Sequence, residues 1–166
     1  MANGNAAPNR TTQHIGAAGE LLVQYQLLKL GIDSARLTTD SGIDLVAFDS
    51  ATGEALTVQV KTMDRATPSG GTGRKSIGWS FPDNTRAQIL AFAHLEEDRV
   101  WLFTSAEARQ IAQQHSVTNT RRLYWYTDLS TPQKNGAPLI ETDMNSFLLT
   151  TRAPRLFMRE SDPTCN

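Results

Sequence analysis

Apolar residues recur along the first third of the chain with two different periods. From His14 to Leu30, Ile15, Ala18, Leu22, Tyr25 and Leu28 follow the spacing of one helix face. Thr11 or Thr12 supplies a cap and Gly31 a stop. The pattern then shortens to strand-like runs at Ala35–Thr38, Ile43–Phe48 and Ala55–Thr62, the last two joined by a turn over Asp49–Gly53. Thr62–Lys75 is rich in Pro, Gly, Ser and Thr and predicts a loop. Ser76–Phe81 predicts another strand. Gln88–Leu95 is nearly all apolar, and the charged Glu96–Arg99 turn leading into Val100–Thr104 favours a buried strand over a short helix. Ser105 is placed to cap a short helix running to about Gln114, and Arg122–Tyr126 predicts one more strand. From about Asp128 onward Pro, Thr and Asn dominate, so an irregular segment is expected. Met1–Thr12 reads as a disordered leader, and residues 13–166 as a single α/β domain without internal repeats.

Composition narrows the setting. A chain of 166 residues suits one domain better than two. With 39% hydrophobic and 20% charged residues it is neither a disordered acidic chain nor a membrane protein. No apolar run approaches the ~18 residues of a membrane span. Cys165 is the single cysteine, which excludes an intrachain disulfide and a cysteine-based zinc site; a reducing cytoplasm is the expectation. Sixteen Lys plus Arg against seventeen Asp plus Glu give a net charge of −1, so bulk charge does not announce a nucleic-acid partner. Twelve of the cations are Arg and four are Lys, which draws attention to each lysine.

Three local patterns carry candidate chemistry. Gly16-Ala-Ala-Gly19-Glu20 puts two glycines in one helix, each costing about 1 kcal/mol against Ala. They strip bulk from around Glu20, leaving room for a backbone, a metal or a substrate; taken alone, close helix–sheet packing with an incidental surface Glu explains them better. Asp40-Ser-Gly-Ile-Asp44 leads into a buried strand, which mounts Asp44 rigidly as a metal ligand should be. A plain turn accounts for Asp40–Gly42. In Thr57-Val-Gln-Val-Lys61, alternation sends Val58 and Val60 to the core and Gln59 and Lys61 to the other face, as in any half-buried strand.

Taken in order, Gly-x-x-Gly-Glu on a first helix, Asp opening a strand, and Gln-x-Lys on the next strand resemble the PD-(D/E)xK nuclease superfamily, which includes restriction enzymes and Holliday-junction resolvases. The likeness spans about Ile15 to Lys61. It implies a restriction endonuclease-like core: an N-terminal helix, then a central mixed β-sheet flanked by helices. It implies that Asp44 is the metal-binding aspartate, Lys61 the catalytic lysine, Gln59 the residue at the (D/E) position and Glu20 the acid of the first helix. Mg²⁺ (or Mn²⁺) would be held by Asp44, Gln59, the Val60 carbonyl and Glu20. Ile43 stands where the family has Pro, and Gln59 brings an oxygen without the charge of a carboxylate, which lowers metal affinity. The resemblance also implies a crossover helix after Lys61, and none is evident in the Gly-rich stretch up to Ala87.

The remaining signals are weaker. Gly70–Ser76 echoes a phosphate-binding loop, but Arg74 displaces the required glycine before Lys75 and no strand–loop–helix context surrounds it, so no nucleotide cofactor is expected. Arg65, Arg74 and Lys75 suit phosphate contacts in nucleic acid, or a solvated loop. Arg121-Arg122 before Leu-Tyr-Trp-Tyr126 places basic and aromatic groups together, although such aromatics commonly alternate between core and surface. Trp79, Phe92, Trp101 and Phe103 read as core. His14, His94 and His115 lack metal-ligand spacing, with His14 best explained by helix-end packing. Arg152, Arg155 and Arg159 form a basic C-terminal set, suited to DNA or a partner. The expected function is a metal-dependent nuclease hydrolysing phosphodiester bonds in DNA, structure-selective or directed by a partner, as a homodimer or with an accessory protein. The alternative is a non-catalytic nuclease-fold module that binds nucleic acid or a protein.

Overall fold

The first helix, α1 (Thr12–Lys29), opens with Thr11 as its cap and His14 closing the reciprocal box: the Thr11 N–H donates to His14 Nδ1 at 3.2 Å. A computed structural model describes residues 10–38, 41–49, 52–71 and 73–158 of the chain. Most of the expected leader, Asp40, Arg159 and Cys165 lie outside the described residues. Gly31, at φ +76°, ends the helix turn as its position suggested. The buried stripe is Gly19, Val23 and Leu27, not the face marked by Ile15, Ala18, Leu22, Tyr25 and Leu28; Tyr25 and Leu28 are 60% and 58% exposed. Polar residues such as Glu20, Gln24 and Gln26 are spread around the helix and no single apolar face dominates, so periodicity offers two faces. Gly19 settles which one turns inward, because a Cβ there would fall on the Thr62 hydroxyl. A Cβ on Gly16 would meet nothing within 4 Å.

Three antiparallel strands follow, β1 (Asp33–Arg36), β2 (Leu45–Phe48) and β3 (Ala55–Met63). The next partner of β3 is parallel to it, β6 (Ile89–His94), and β7 (Arg99–Thr104) completes a five-stranded sheet in the order β1-β2-β3-β6-β7. Parallel neighbours need a crossover. The resemblance implied a helix there; the structure uses strands. Within Thr62–Lys75, expected as a loop, lie β4 (Thr67–Pro68) and a short 3₁₀ turn (Ser69–Gly71), and β5 (Lys75–Pro82) follows. These strands start a second sheet with β8 (Gln114–His115) and β9 (Thr120–Tyr126), in the order β4-β5-β9-β8. The segment echoing a phosphate-binding loop thus leads into a strand and not into a helix.

β6 is buried on both faces, which its uninterrupted apolar sequence requires. Ile89, Ala91 and Ala93 face one core, shared with Val23 and Leu27 of α1 and with Leu149, Ala153 and Phe157. Leu90 and Phe92 face a second core between the two sheets, with Trp79, Trp101, Phe103 and Trp125. Trp79 stacks on Phe92 at 5.0 Å between ring centroids, and its indole N–H donates to the Ala93 carbonyl at 3.2 Å. Each such buried aromatic contributes on the order of 2–3 kcal/mol. The result is three layers: helices, central mixed sheet, second sheet.

Two features depart from expectation at the C-terminal side. α2 (Ser105–Ile111) is capped by Thr104 rather than Ser105. The Thr104 N–H and hydroxyl donate to Glu107 at 2.8 and 2.9 Å, a Thr-x-x-Glu capping box; Ser105 is buried and donates to the Ala87 carbonyl. The segment after Asp128, expected to be irregular, contains a 3₁₀ stretch (Glu141–Phe147) and a third helix, α3 (Leu149–Phe157). Nine residues with Pro154 inside carry little helical signal of their own; burial of Leu149, Ala153 and Phe157 at every fourth position holds the helix. Arg152 of α3 ion-pairs with Glu107 and lies over the Phe147 ring. Among the described residues no helix is long and apolar enough to cross a membrane.

Two expectations follow. Gly19→Ala should destabilise the protein by about 1–3 kcal/mol through overpacking on Thr62, whereas Gly16→Ala should be neutral or stabilising by up to about 1 kcal/mol; urea unfolding of both variants measures the contrast. Partial burial works to raise the Glu107 carboxyl, but the Thr104 hydrogen bonds and the Arg152 guanidinium outweigh it and hold it below the usual 4.5. A carboxyl lowered by folding adds stability above its unfolded value, and that stability is lost as pH falls through the folded value. Wild type should therefore exceed Glu107→Gln in stability at pH 7, with the gap closing as pH falls below about 4.5; thermal melts across that range would show it.

Candidate active site

The site arises because β3 is longer than β2. β2 accompanies it only as far as Val58. The Thr57 and Met63 carbonyls accept from Gln88 and Leu95 on the β6 side, at 3.1 and 3.0 Å. Main-chain groups alternate along a strand, so those of Val58, Val60 and Thr62 point to the β2 side. At the end of β2 the Asp44 N–H donates to the Val58 carbonyl at 2.9 Å. The next strand amide, Val60 N–H, has no β2 residue opposite it and donates instead to Asp44 Oδ2 at 2.6 Å. The carboxylate stands in for the missing strand, and the Val60 carbonyl points to the same side.

Side chains alternate as expected: Val58 and Val60 lie in the helix-side core. Gln59, however, is not outward and solvated. It is 6% exposed, and its Oε1 accepts from the Thr85 hydroxyl at 3.1 Å. Gly42, at φ +74°, lies against its amide: a Cβ there would sit 3.7 Å from Gln59 Nε2. Asp44, Gln59 and Val60 are thus gathered where β2 leaves the sheet.

Glu20 and Lys61 line an adjoining cavity of about 330 Å³ between the start of α1 and the free half of β3, together with Gly16, Val60, Thr62 and Asp64. Val60 is common to both groups. The Lys61 side chain makes no hydrogen bond or ion pair with any described residue. Glu20 is engaged: Arg36 Nε and Nη2 approach its Oε2 at 2.8 and 2.6 Å. Both contacts use one oxygen, leaving Oε1 for a water or an ion. The two glycines divide the readings offered for them, Gly19 serving close helix–strand packing and Gly16 leaving open space beside Glu20. His14 serves the helix cap, as helix-end packing predicted.

The loop cations are more committed than the sequence suggests. Arg65 pairs with Asp64 at 3.3 Å, and Asp64 also takes Arg10 at 2.7 Å. Arg74 reaches Asp128 at 3.4 Å, a counter-charge distant in sequence, and Lys75 is exposed at the start of β5. Arg36, Thr85 and Asp64 had no place in the motif reading. Asp64 is the one acidic neighbour of the loop cations in sequence, and it takes Arg65 and Arg10; Arg36 and Thr85 carry no local signal.

No group of three or more His, Cys, Asp and Glu is gathered among the described residues. The oxygen donors at the strand mouth are the Asp44 carboxylate, the Gln59 amide oxygen and the Val60 carbonyl, a hard donor set of the type that Mg²⁺ and Mn²⁺ take, with a single formal charge. That chemistry fits a divalent cation bound with modest affinity.

No protein-family model matches the chain, and no curated protein sequence matches it. Among solved structures, a bacterial homing endonuclease, I-Ssp6803I, is similar with a TM-score of 0.52 at 16% sequence identity, over 75% of this chain and 84% of that one. The fold is therefore nuclease-like: a leading helix, a central mixed sheet and flanking helices.

Burial separates the two polar supports of the site. Thr85→Val should cost about 1–3 kcal/mol by leaving the buried Gln59 oxygen without a partner, while Arg36→Ala, which removes a half-exposed ion pair, should cost less than about 1 kcal/mol. Chemical denaturation of each variant gives the comparison.

Proposed function

We propose that the chain is a metal-dependent nuclease that hydrolyses phosphodiester bonds in DNA, structure-selective or directed by a partner. The observation that carries this is the Asp44 carboxylate clasped by the Val60 amide, beside Gln59 and next to an unpaired Lys61, on a nuclease-like fold. Asp44, Gln59 and the Val60 carbonyl would hold Mg²⁺ or Mn²⁺, which when bound lowers the pKa of a water and neutralises charge on the scissile phosphate. The Val60 amide fixes the Asp44 carboxylate, so little reorganisation is needed on loading. Lys61, free of any protein anion, donates to the attacking water or to the phosphate oxygen on which negative charge develops. Glu20 holds water through Oε1 while Arg36 occupies Oε2. With few uncommitted cations nearby, DNA affinity is modest, which suits a homodimer or an accessory protein partner.

A second reading is supported by Arg36 on Glu20 and by the neutral Gln59: a non-catalytic module of the same fold that binds nucleic acid or protein. Cutting and metal binding separate the two. Purified protein should nick DNA with Mg²⁺ or Mn²⁺, lose that activity in EDTA, and lose at least about a hundredfold on Asp44→Ala or Lys61→Ala. Full activity in both variants rejects the assignment. In calorimetry, Gln59→Glu should tighten Mn²⁺ binding by about tenfold or more, since it adds a ligand charge; absence of any Asp44-dependent Mn²⁺ binding favours the module.

A further inference from the structure

The second sheet turns one face to the aromatic core and the other to solvent. On β5, Ile77, Trp79 and Phe81 point inward, as do Leu123 and Trp125 on β9. The alternate residues form the outer face, where register sets Ser76 against Tyr126, Gly78 against Tyr124 and Ser80 against Arg122, with Gln114 of β8 also beside Arg122. The β5 row is small throughout. A Cβ on Gly78 would lie 2.5 Å from the Tyr124 Cβ, so glycine is what lets that tyrosine settle over the strand. The Tyr124 and Tyr126 rings stand 6.5 Å apart and nearly perpendicular. Gln113 fixes the Tyr124 backbone from both sides, accepting from its N–H at 3.0 Å and donating to its carbonyl at 2.7 Å.

Two cavities, of about 320 and 500 Å³, lie along this face and share Arg122 and Gln114 as lining residues, making one groove across the sheet. None of β4, β5, β8 and β9 contains an Asp or Glu. Arg122 is exposed and its guanidinium makes no hydrogen bond or ion pair with a described residue, whereas Arg121 turns away to Asp83 at 2.5 Å. Asp128, two residues past Tyr126, is occupied by Ser130 and Arg74. The face therefore offers an unopposed guanidinium, two half-exposed aromatic rings and a floor of small residues. Paired bases in a duplex cannot present their faces to tyrosine rings, while unpaired bases can, and one free arginine is little for a duplex whose affinity rests on many phosphate contacts.

We infer that the outer face of the second sheet binds an unpaired nucleic-acid strand, with Tyr124 and Tyr126 stacking on bases and Arg122 contacting phosphate. This deepens the nuclease reading by naming the strand structure the protein holds, and it rests on nucleic acid being the partner, not on cleavage. The test is fluorescence anisotropy of a labelled oligo-dT, and of a mixed-sequence duplex of equal length, at low salt in EDTA. The oligo-dT should bind more tightly than the duplex. Tyr124→Ala and Tyr126→Ala should each weaken it by at least about fivefold. Tyr124→Phe, which keeps the ring, should bind as wild type. Arg122→Ala should lower the slope of log affinity against log salt by about 0.7, and Gln114→Lys, adding a cation beside Arg122, should strengthen binding without removing any packing. Duplex binding equal to or above single-strand binding, or oligo-dT affinity indifferent to all four changes at Tyr124→Ala, Tyr126→Ala, Arg122→Ala and Gln114→Lys, overturns the inference. Cleavage by the wild type separates the two claims: oligo-dT binding by a wild type that never cuts leaves this face standing and rejects the nuclease, while cutting without single-strand binding does the reverse. Asp44→Ala should lose cleavage and keep oligo-dT binding.

Discussion

The parallel pairing of β3 with β6 is the constraint on which the rest of the structure depends. Two parallel neighbours cannot be joined by a hairpin, so the chain must leave the sheet after Met63 and return at Ile89. Where a helix would cover one face, this chain spends the crossover on β4 and β5, which pair with later strands as a second sheet. That choice buries β6 and β7 on both sides and creates the aromatic core of Trp79, Phe92, Trp101, Phe103 and Trp125. It also leaves the second sheet with an outer face that no element covers in the described residues.

The same strand sets the site. β3 is nine residues long and β2 four, so half of β3 has no antiparallel neighbour. An unpaired buried strand amide is costly, and the Asp44 carboxylate relieves it at Val60. The chemistry proposed for Asp44 and the hydrogen-bonding need of the strand thus reinforce each other. α1 is pressed against this part of β3 through Gly19 and Thr62, which opens the cavity between Glu20 and Lys61 at the Gly16 end of the contact.

Charge is distributed in keeping with that layout. The total is −1, yet the second sheet has no acidic residue, and most of the cations around the β3 cavity are paired: Arg36 with Glu20, Arg65 and Arg10 with Asp64. The side chains of Lys61 and Arg122, like those of Lys75, Arg86, Lys134 and Arg155, make no ion pair with a described residue. Net charge was therefore a poor guide to function, because it averages over a committed set of ion pairs and a few uncommitted cations.

Much of the scaffold was legible in the sequence: α1, the strands β2, β3, β5, β6, β7 and β9, and the alternation that separates Val58 and Val60 from Gln59 and Lys61. These depend on local periodicity, which a sequence contains directly. The face of α1 that turns inward was not legible, because two apolar stripes fit the same spacing and only the fit of Gly19 on Thr62 distinguishes them. The burial of Gln59 depends on Thr85, and the engagement of Glu20 on Arg36, partners brought in by folding from segments without a motif. Helix α3 exists because Leu149, Ala153 and Phe157 find a core to fill. The sequence by itself determined α1, the strands of strong local periodicity and the residues able to do chemistry, since these follow from local spacing and side-chain type. Which of those residues meet, and which are neutralised, was decided by the tertiary structure, through contacts between positions far apart in the chain.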